Sequence, residues 1–291
     1  MSGTVYAPAL PGLTAAGDDS LDTVINWGLG ADSTAYLARM LTDPAAHGID
    51  LERTAVLYMA TGSEWPETRL LVEEFMLPLL REHGVRFVQL ARNGHLAADG
   101  ITVLDDSRHP ERLHARGAWT LWDEMESVGT VPQQAGTRKC SLRAKGDVGD
   151  RWITSVMGGR GFRQIIGFNA DEAGRCLKDQ ANSKLSGRRG EFPLVEWGWG
   201  RREVEDYLLK RFGVHWPKSY CTFCFMWNRA PPVGIASTRR ATRRGGDTRR
   251  RDNQHPHRSL GTSRGRLHRR TGRRSPCSRW QPSSGTERNH V

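Results

Sequence analysis

The chain has 291 residues, of which 37% are hydrophobic and 26% charged, and its formal net charge is +11. This length suffices for one large domain or two small ones with a sizeable core. No apolar run approaches the roughly 18 residues that a membrane span needs, and the first residues lack the basic start and apolar stretch of a signal peptide. We therefore expect a cytoplasmic protein with no membrane partner.

The positive charge is concentrated at one end of the sequence. Residues 230–291 contain 16 Arg, no Lys and three acidic residues, whereas residues 1–229 contain 27 basic and 29 acidic residues. The basic segment has too few apolar residues to offset the entropy of ordering it, so we expect disorder. One reading is an arm that binds the phosphates of a nucleic acid. The other is a solvated or frame-shifted segment, and the complete lack of Lys favours the frame shift. The expected organisation is an extension over 1–22, a folded domain over 23–229 and a basic tail over 230–291.

Strand and helix patterns alternate through the folded domain. A strand over Thr23–Trp27 precedes a glycine-rich turn and a helix, and the pattern predicts a second helix from Glu67 to His83 that Pro78 should kink. The remaining predicted elements are strands at Thr54–Met59, Arg86–Leu90, Arg163–Phe168 and Phe192–Glu196, and a helix over Arg201–Phe212. Such alternation predicts an α/β fold, Rossmann-like, with an open, mostly parallel sheet and helices on both faces.

The turn after the first strand has the composition of a phosphate-binding loop. Gly28 and Gly30 would let the backbone approach a phosphate, and the following helix start offers unpaired N–H groups. Ser33 and Thr34 add hydroxyl donors, and the Asp32 carboxylate is a candidate magnesium ligand. A tight turn capped by Asp32 or Ser33 explains the same residues without a ligand.

The cysteines suggest a metal site rather than a disulfide framework. Five cysteines in a chain of this length favour a reducing compartment. Cys221 and Cys224 form a CxxC turn that can supply two metal ligands, Cys140 is the natural third, and Cys176 is a weaker fourth. Partly buried free thiols and a redox dithiol remain the alternatives.

Six short segments follow one another in a fixed order. They are Gly28–Ser33 (GLGADS), Ala60–Thr68 (ATGSEWPET), Arg138–Ser141 (RKCS) with Lys145, Ile166–Arg175 (IGFNADEAGR), Phe192–Trp197 (FPLVEW) and Lys218–Cys224 (KSYCTFC). In this order they resemble the motifs S-G-G-x-D-S, D-T-G-x-x-x-P-E-T, R-x-C-T…K, I-G-x-x-x-D-E-x-x-R, Y-P-L-x-x-W and K-S-x-C-x-x-C. These motifs belong to the 3′-phosphoadenylyl sulfate (PAPS) reductase-like family of the PP-loop, or adenine nucleotide α-hydrolase, superfamily. The resemblance spans Thr23 to Cys224.

The resemblance implies an adenine nucleotide site at the first βα turn. Enzymes of the superfamily commonly cleave ATP, bound with Mg²⁺, between the α- and β-phosphates to adenylylate an acceptor. By the same resemblance, residues of the first two loops hold the nucleotide, three basic residues stabilise negative charge, and two acidic residues orient a metal, a ribose or an arginine. These sets are Gly28, Gly30, Asp32, Ser33, Thr34, Thr61, Gly62 and Glu64; Arg138, Lys145 and Arg175; and Asp171 and Glu172.

Departures from the family pattern narrow the expected activity. Gly28, Leu29 and Ala31 replace Ser, Gly and a frequent Lys, and Ala60 replaces the Asp of the second motif. The nucleophilic Glu-Cys-Gly-Leu-His tail of true sulfonucleotide reductases has no counterpart. The chain is therefore more similar to relatives that activate an acceptor with ATP, including those that transfer sulfur to tRNA or DNA.

Several alternatives stay open at this point. Relatives that transfer sulfur have a cysteine-bound iron–sulfur cluster, and by this resemblance Cys140, Cys221 and Cys224 would hold a 4Fe-4S cluster. A structural Zn²⁺ on the same residues is an equal alternative. Reduction of PAPS, or of adenylyl sulfate, is the second functional reading. A non-catalytic nucleic-acid-binding protein, or an inactive truncated one, is the third. The sequence also leaves the oligomeric state open, with a homodimer among the options.

Overall fold

The computed structural model describes residues 20–129 and 139–224. Most of the predicted N-terminal extension, Arg138 and the basic tail with its predicted disorder lie outside the described residues. Among the helices in the described ranges, none is long and apolar enough to cross a membrane.

Six strands form one sheet in the order β4-β3-β2-β1-β5-β6. Neighbouring strands are parallel, except that β4 runs antiparallel to β3. The strands are β1 (Thr23–Asn26), β2 (Thr54–Met59), β3 (Arg86–Arg92), β4 (Ile101–Ser107), β5 (Phe162–Ile166) and β6 (Arg188–Glu191). This arrangement confirms the predicted open, mostly parallel sheet.

The helices alternate with these strands along the chain. They are α1 (Ala31–Thr42), α2 (Pro66–Leu71), α3 (Leu77–Glu82), α4 (Leu121–Val128), α5 (Lys139–Ser141), α6 (Asp147–Met157), α7 (Ala173–Asn182), α8 (Pro193–Glu196) and α9 (Arg201–Phe212). A π-helical turn over Val72–Met76 joins α2 to α3, and another over Leu142–Gly146 joins α5 to α6.

The sheet is buried on both faces because its strands are apolar at successive positions. Ile25 and Val56 pack in one core cluster with residues of α1, α3 and α9, whereas Val24 and Leu57 pack in a second cluster with residues of α6. Side chains of successive strand residues point to opposite faces, so a continuous apolar run such as β2 serves both clusters. Helices therefore cover both faces, as predicted.

The strand predicted at Phe192–Glu196 is wrong. These residues form the short helix α8 after Phe192, and the edge strand β6 lies just before it. Pro193 occupies the first turn of α8, where its missing N–H costs nothing, and Leu194 is fully buried. The edge strand reads Arg-Arg-Gly-Glu and carries no apolar signal.

The helix predicted from Glu67 to His83 is interrupted where Pro78 enters it. The π-helical turn ends at Met76, and Pro78 lies in the first turn of α3. Proline has no N–H to donate to the preceding turn and its ring crowds that turn, so a locally wider turn accommodates it.

Candidate functional site at the carboxyl ends of β1 and β5

The chain order of the sheet reverses beside β1. The connection after β1 leads to β2 on one side, whereas β5 pairs with β1 on the other side. In open α/β sheets, ligands bind in the crevice outside the strand ends at such a reversal. The loops that follow Asn26 and Ile166 form this crevice.

Hydrogen bonds within the loop after β1, residues 27–34, fix the shape of that loop. Trp27 is fully buried and its indole Nε1 donates to the Thr34 Oγ1 at 3.0 Å. The Gly28 amide donates to Ser33 Oγ at 3.2 Å, and Ser33 Oγ lies 3.3 Å from the carbonyl oxygen of Gly30, to which it donates. The Thr34 hydroxyl is thereby buried, and the Ser33 hydroxyl holds the loop closed on itself.

A second segment, residues 216–219, packs against the loop. The Trp216 Nε1 donates to the Leu29 carbonyl at 2.9 Å, and the Ala31 amide donates to the carbonyl of Pro217 at 3.1 Å. A Cβ at Gly30 would lie 2.8 Å from the Ser219 backbone nitrogen. Position 30 therefore tolerates glycine alone without moving residues 216–219.

Leu29 has a backbone conformation that favours glycine. Its φ is +62°, in the left-handed region, and its side chain is fully buried. A non-glycine residue there costs about 1 kcal/mol or more. The PAPS reductase-like motif has glycine at this position, so the local backbone agrees with the motif even where the residue departs from it.

Two amides at the start of α1 remain available to a ligand. The amides of Asp32 and Ser33 donate to no group in the described ranges, while those of Gly28, Ala31 and Thr34 are used within the protein. The positive end of the α1 dipole lies at the same place, and α1 has no side-chain cap. Unpaired N–H groups at a helix start favour an anion.

The Asp32 carboxylate is engaged by its own chain. Asn169, which is 3% exposed, donates from Nδ2 to Asp32 Oδ1 at 3.0 Å, and Arg201 Nη1 lies 3.8 Å from Asp32 Oδ2. The Asn169 Oδ1 accepts from the Asp171 amide at 3.1 Å. Asp32 thus joins α1 to the loop after β5.

The predicted acidic pair after β5 also has internal partners. Asp171 Oδ2 accepts from the Arg201 amide at the start of α9, at 2.9 Å. Glu172 pairs with Arg175 at 2.9 Å, and the Arg175 guanidinium lies 4.2 Å from the centre of the Phe168 ring. These residues border the crevice, but a ligand that needs Arg175 has to displace Glu172.

The loop after β2 is organised by Glu64. Its Oε1 accepts from the amide and the hydroxyl of Thr61, at 3.0 and 2.8 Å, and its Oε2 accepts from the Ser63 amide at 3.1 Å. The Gly62 amide donates to the Ala115 carbonyl. Glu64 and Thr61 therefore shape this loop rather than present free groups.

The CxxC segment lies on this second loop. The Thr222 amide donates to the Ser63 carbonyl at 2.8 Å, and Thr61 Oγ1 is 3.9 Å from Cys221 Sγ. Burial raises the pKa of Cys221 to about 11, and the nearby Glu64 carboxylate adds to this effect. The Cys221 sulfur is therefore a thiol at neutral pH.

Lys145 and Cys140 belong to the same region. Lys145 Nζ is 3.5 Å from Ser219 Oγ, next to Gly30. The Lys145 charge opposes the rise of the Cys221 pKa, and Cys140 contributes to that rise. Lys145, Cys140 and Cys221 thus lie in the region of the loop after β1, although they are far apart in sequence.

The cysteines as arranged do not form a metal site. The two described ranges contain no group of three or more His, Cys, Asp or Glu side chains placed to hold a metal ion. Cys140, Cys221 and Cys224 are partly buried, and Cys176 packs in a separate apolar cluster beside Phe192. The Asp32 carboxylate already bonds to Asn169. We therefore route no chemical step through a metal.

Three residues that shape the crevice were not among the predicted site residues. Asn169 connects Asp32 to Asp171, Trp216 holds Leu29, and Ser219 separates Gly30 from Lys145. A polar residue shortly after the end of β5 is a usable signal for Asn169. The other two act from a segment without regular structure, whose path no periodicity reveals.

Comparisons with known proteins give limited similarity. No protein-family model matches the chain, and no curated protein matches it. Among solved structures, the chain is similar to a phosphoadenylyl-sulfate (PAPS) reductase from Candida auris, in a phosphate complex, at 12% sequence identity and a TM-score of 0.39. That match covers 67% of this chain and 74% of the reductase chain.

Proposed function

We propose that the protein binds ATP with its phosphates at the start of α1 and cleaves the bond between the α- and β-phosphates to adenylylate an acceptor. The observation that carries the proposal is the pair of amides, Asp32 and Ser33, which donate to no described residue and lie in the crevice where the sheet order reverses. Glycines on both sides, Gly30 and Gly167, allow the surrounding backbone to pack closely there. The motif order described above supports adenine as the base.

The described groups suit an anionic ligand. Two backbone N–H groups and the positive end of a 12-residue helix favour phosphate oxygens. The Lys145 ammonium, which contacts Ser219 beside Gly30, supplies a full positive charge. Each charge-assisted hydrogen bond of this kind contributes about 1.5–3 kcal/mol.

The proposed reaction needs positioning and charge neutralisation more than side-chain chemistry. A nucleophilic atom of the acceptor forms a bond to the α-phosphorus, the bond from that phosphorus to the bridging oxygen breaks, and pyrophosphate leaves with the electron pair. The contact of Lys145 with Ser219 supports a role for Lys145 in offsetting the negative charge on the phosphate oxygens. Arg175 is a second candidate, once a ligand displaces Glu172 from it.

The test is ATP binding and turnover by the full chain. We expect release of AMP or an adenylylated product together with pyrophosphate, and a loss of about 100-fold in turnover for Lys145→Met. Lys184→Met is the matched control, because Lys184 is exposed in the loop before β6 and should leave turnover unchanged. Failure of the wild-type protein to bind ATP would refute the proposal. Turnover of PAPS with release of sulfite, and none of ATP, would favour the reductase alternative.

We further propose that the acceptor chemistry uses the cysteines near the loop. The Thr222 amide bonds to the Ser63 carbonyl and Thr61 Oγ1 is 3.9 Å from Cys221 Sγ, which supports a role for the CxxC segment beside the proposed site. A cluster on these cysteines would need the sulfurs to move together, since the described ranges hold no such group as arranged. Sulfur transfer to a nucleic acid by that route predicts a brown protein that contains iron and sulfide after anaerobic purification. One zinc and no iron would replace this proposal with a structural site on Cys140, Cys221 and Cys224. If the purified protein contains neither iron nor zinc, the cysteines are free thiols, and this result would contradict both versions of the proposal.

The basic segment supports nucleic acid as a partner. Its net charge of +13 over residues 230–291 contrasts with −2 for the rest of the chain. Arginines that neutralise phosphates release counterions, so the affinity for tRNA or DNA should fall steeply with salt. We expect deletion of residues 230–291 to abolish salt-sensitive binding. Equal binding by the full and the shortened chain would contradict this role.

A further inference from the structure

A small cleft lies between the end of β3, the start of β4 and the first turns of α6. Its cavity volume is about 30 Å³, and it is partly open to solvent. Three arginines line it, together with one acidic and several apolar side chains. The residues that matter here are Arg92, Arg143, Arg151, Asp147, Ile101 and Val148. None of them belongs to the nucleotide site proposed above.

Two of the three guanidinium groups are held in place by Glu124. Arg92 Nη1 donates to Glu124 Oε2 at 3.0 Å, and Arg143 Nη1 donates to Glu124 Oε1 at 2.8 Å. Both arginines also donate from Nη2 to the His95 carbonyl, at 2.5 and 3.0 Å. Glu124 itself is buried and accepts a further bond from the Trp119 indole. The two cations are therefore pre-oriented.

The arginines of the cleft have more N–H donors than the neighbouring acceptors use, and their positive charge exceeds the negative charge around them. A guanidinium has five N–H donors, and Arg92 and Arg143 each use two groups in the bonds just described. Arg151 is partly buried and forms no hydrogen bond or ion pair with any residue that the structure describes. Against three arginines stand two carboxylates, Glu124 and Asp147, which leaves a net positive charge.

We propose that this cleft binds a tetrahedral oxyanion of the phosphate or sulfate class. Guanidinium groups match such oxygens with paired N–H donors, and fixed cations lose little entropy on binding. The apolar side chains of Ile101 and Val148 lower the local polarity, which strengthens these bonds. The anion is either free in solution or a phosphate group of a larger ligand, the nucleotide included.

Arg143 connects the cleft to the proposed nucleotide site through the segment on which it lies. Arg143 lies between Cys140 and Lys145 on the short segment that leads into α6. An anion that bridges Arg143 to Arg151 would fix this segment against α6. Occupancy of the cleft should therefore reduce amide hydrogen exchange in residues 139–146.

The test is calorimetric titration of the full chain with inorganic phosphate and, separately, with sulfate. We expect binding that weakens at least about tenfold in Arg151→Gln and in Arg143→Gln, the loss of one charge-assisted bond. Arg202→Gln is the matched control, because the Arg202 side chain is 88% exposed on α9. Arg151 loses no hydrogen bond or ion pair to residues 20–129 or 139–224, so its variant should fold normally, and its thermal unfolding checks this.

The source of the anion is decided by repeating the titration with ATP and with adenosine. Weaker ATP binding in Arg151→Gln identifies the anion as a nucleotide phosphate, whereas unchanged ATP binding identifies it as a free anion. Phosphate and sulfate affinities that are equal in the wild type, Arg151→Gln and Arg143→Gln would overturn the proposal, as would no binding of either anion by the wild type. Loss of ATP binding in Lys145→Met alone bears on the proposed function and not on this cleft.

Discussion

Substitution of Gly167 tests how closely the loop after β5 packs on the start of α1. A Cβ at position 167 would lie 2.7 Å from the Ser33 Cα, 3.0 Å from its nitrogen and 3.1 Å from its Cβ. Two of these three atoms are backbone, so a side-chain rotation cannot relieve the contact. Gly167→Ala therefore has to displace the very amide that we propose as a phosphate donor.

The cost follows from the size of the overlap. Inserting a methyl group into a packed region costs about 1–3 kcal/mol. For a domain of this size each kcal/mol lowers the melting temperature by about 2–4 °C, so we expect a decrease of about 2–12 °C. Loss of one well-placed phosphate contact adds about a tenfold weakening of ATP binding.

Gly174→Ala is the matched control. Gly174 lies in the first turn of α7, and a Cβ there would meet nothing within 4 Å. Removing glycine from a helix stabilises it by about 0.5–1 kcal/mol, so this variant should melt at or above the wild-type temperature and bind ATP normally. Thermal unfolding followed by circular dichroism measures both variants. Equal melting temperatures for Gly167→Ala and Gly174→Ala would refute the close packing.

Three further predictions concern buried polar groups. Tyr58→Phe should change the free energy of unfolding by less than about 1 kcal/mol, because the buried Tyr58 hydroxyl makes no hydrogen bond of good geometry in the described part of the chain, although the Glu64 carboxylate lies near enough to raise its pKa; a larger destabilisation in chemical denaturation would contradict this. Cys221 should be alkylated at pH 8 at least about tenfold more slowly in the folded protein than in urea, because burial raises its pKa to about 11; equal rates by mass spectrometry would count against it. Burial raises the pKa of Glu124, but bonds from Trp119 and Arg92 and the charge of Arg143 outweigh it and hold the pKa below the usual range. The ionised Glu124 carboxylate therefore stabilises the fold at neutral pH, and this stabilisation is lost as the pH falls below about 4. Glu124→Gln should lower the free energy of unfolding by about 3 kcal/mol at pH 7 and by less at pH 3. An equal decrease at both pH values in chemical denaturation would contradict the pairing.

The strands of the sheet centre were predictable because apolar residues dominate them. Thr54–Met59 is a continuous apolar run that can only be buried on both faces, and its predicted and observed bounds agree. The edge strands were not predictable on these grounds. Arg188–Glu191 is entirely polar apart from its glycine, and Ile101–Ser107 ends in three polar residues, so only pairing with a neighbouring strand defines them.

The candidate site was predictable in its position and less so in its contacts. Motifs after β1, β2 and β5 must meet, because the carboxyl ends of parallel strands share one edge. The sequence could not show that Asp32 bonds to Asn169 or that Glu64 folds back onto Thr61. Such contacts depend on loop paths and on side-chain competition, which no local pattern encodes. Because of these contacts, several residues that were expected to bind a ligand instead stabilise the loops.

The most direct test of the nucleotide site is hydrogen–deuterium exchange of the full chain with and without ATP. If the amides of Asp32 and Ser33 donate to phosphate oxygens, exchange in the peptide spanning residues 28–34 should slow markedly on addition of ATP, and adenosine should have a smaller effect. Protection by ATP at other peptides, with no change at residues 28–34, would contradict the account.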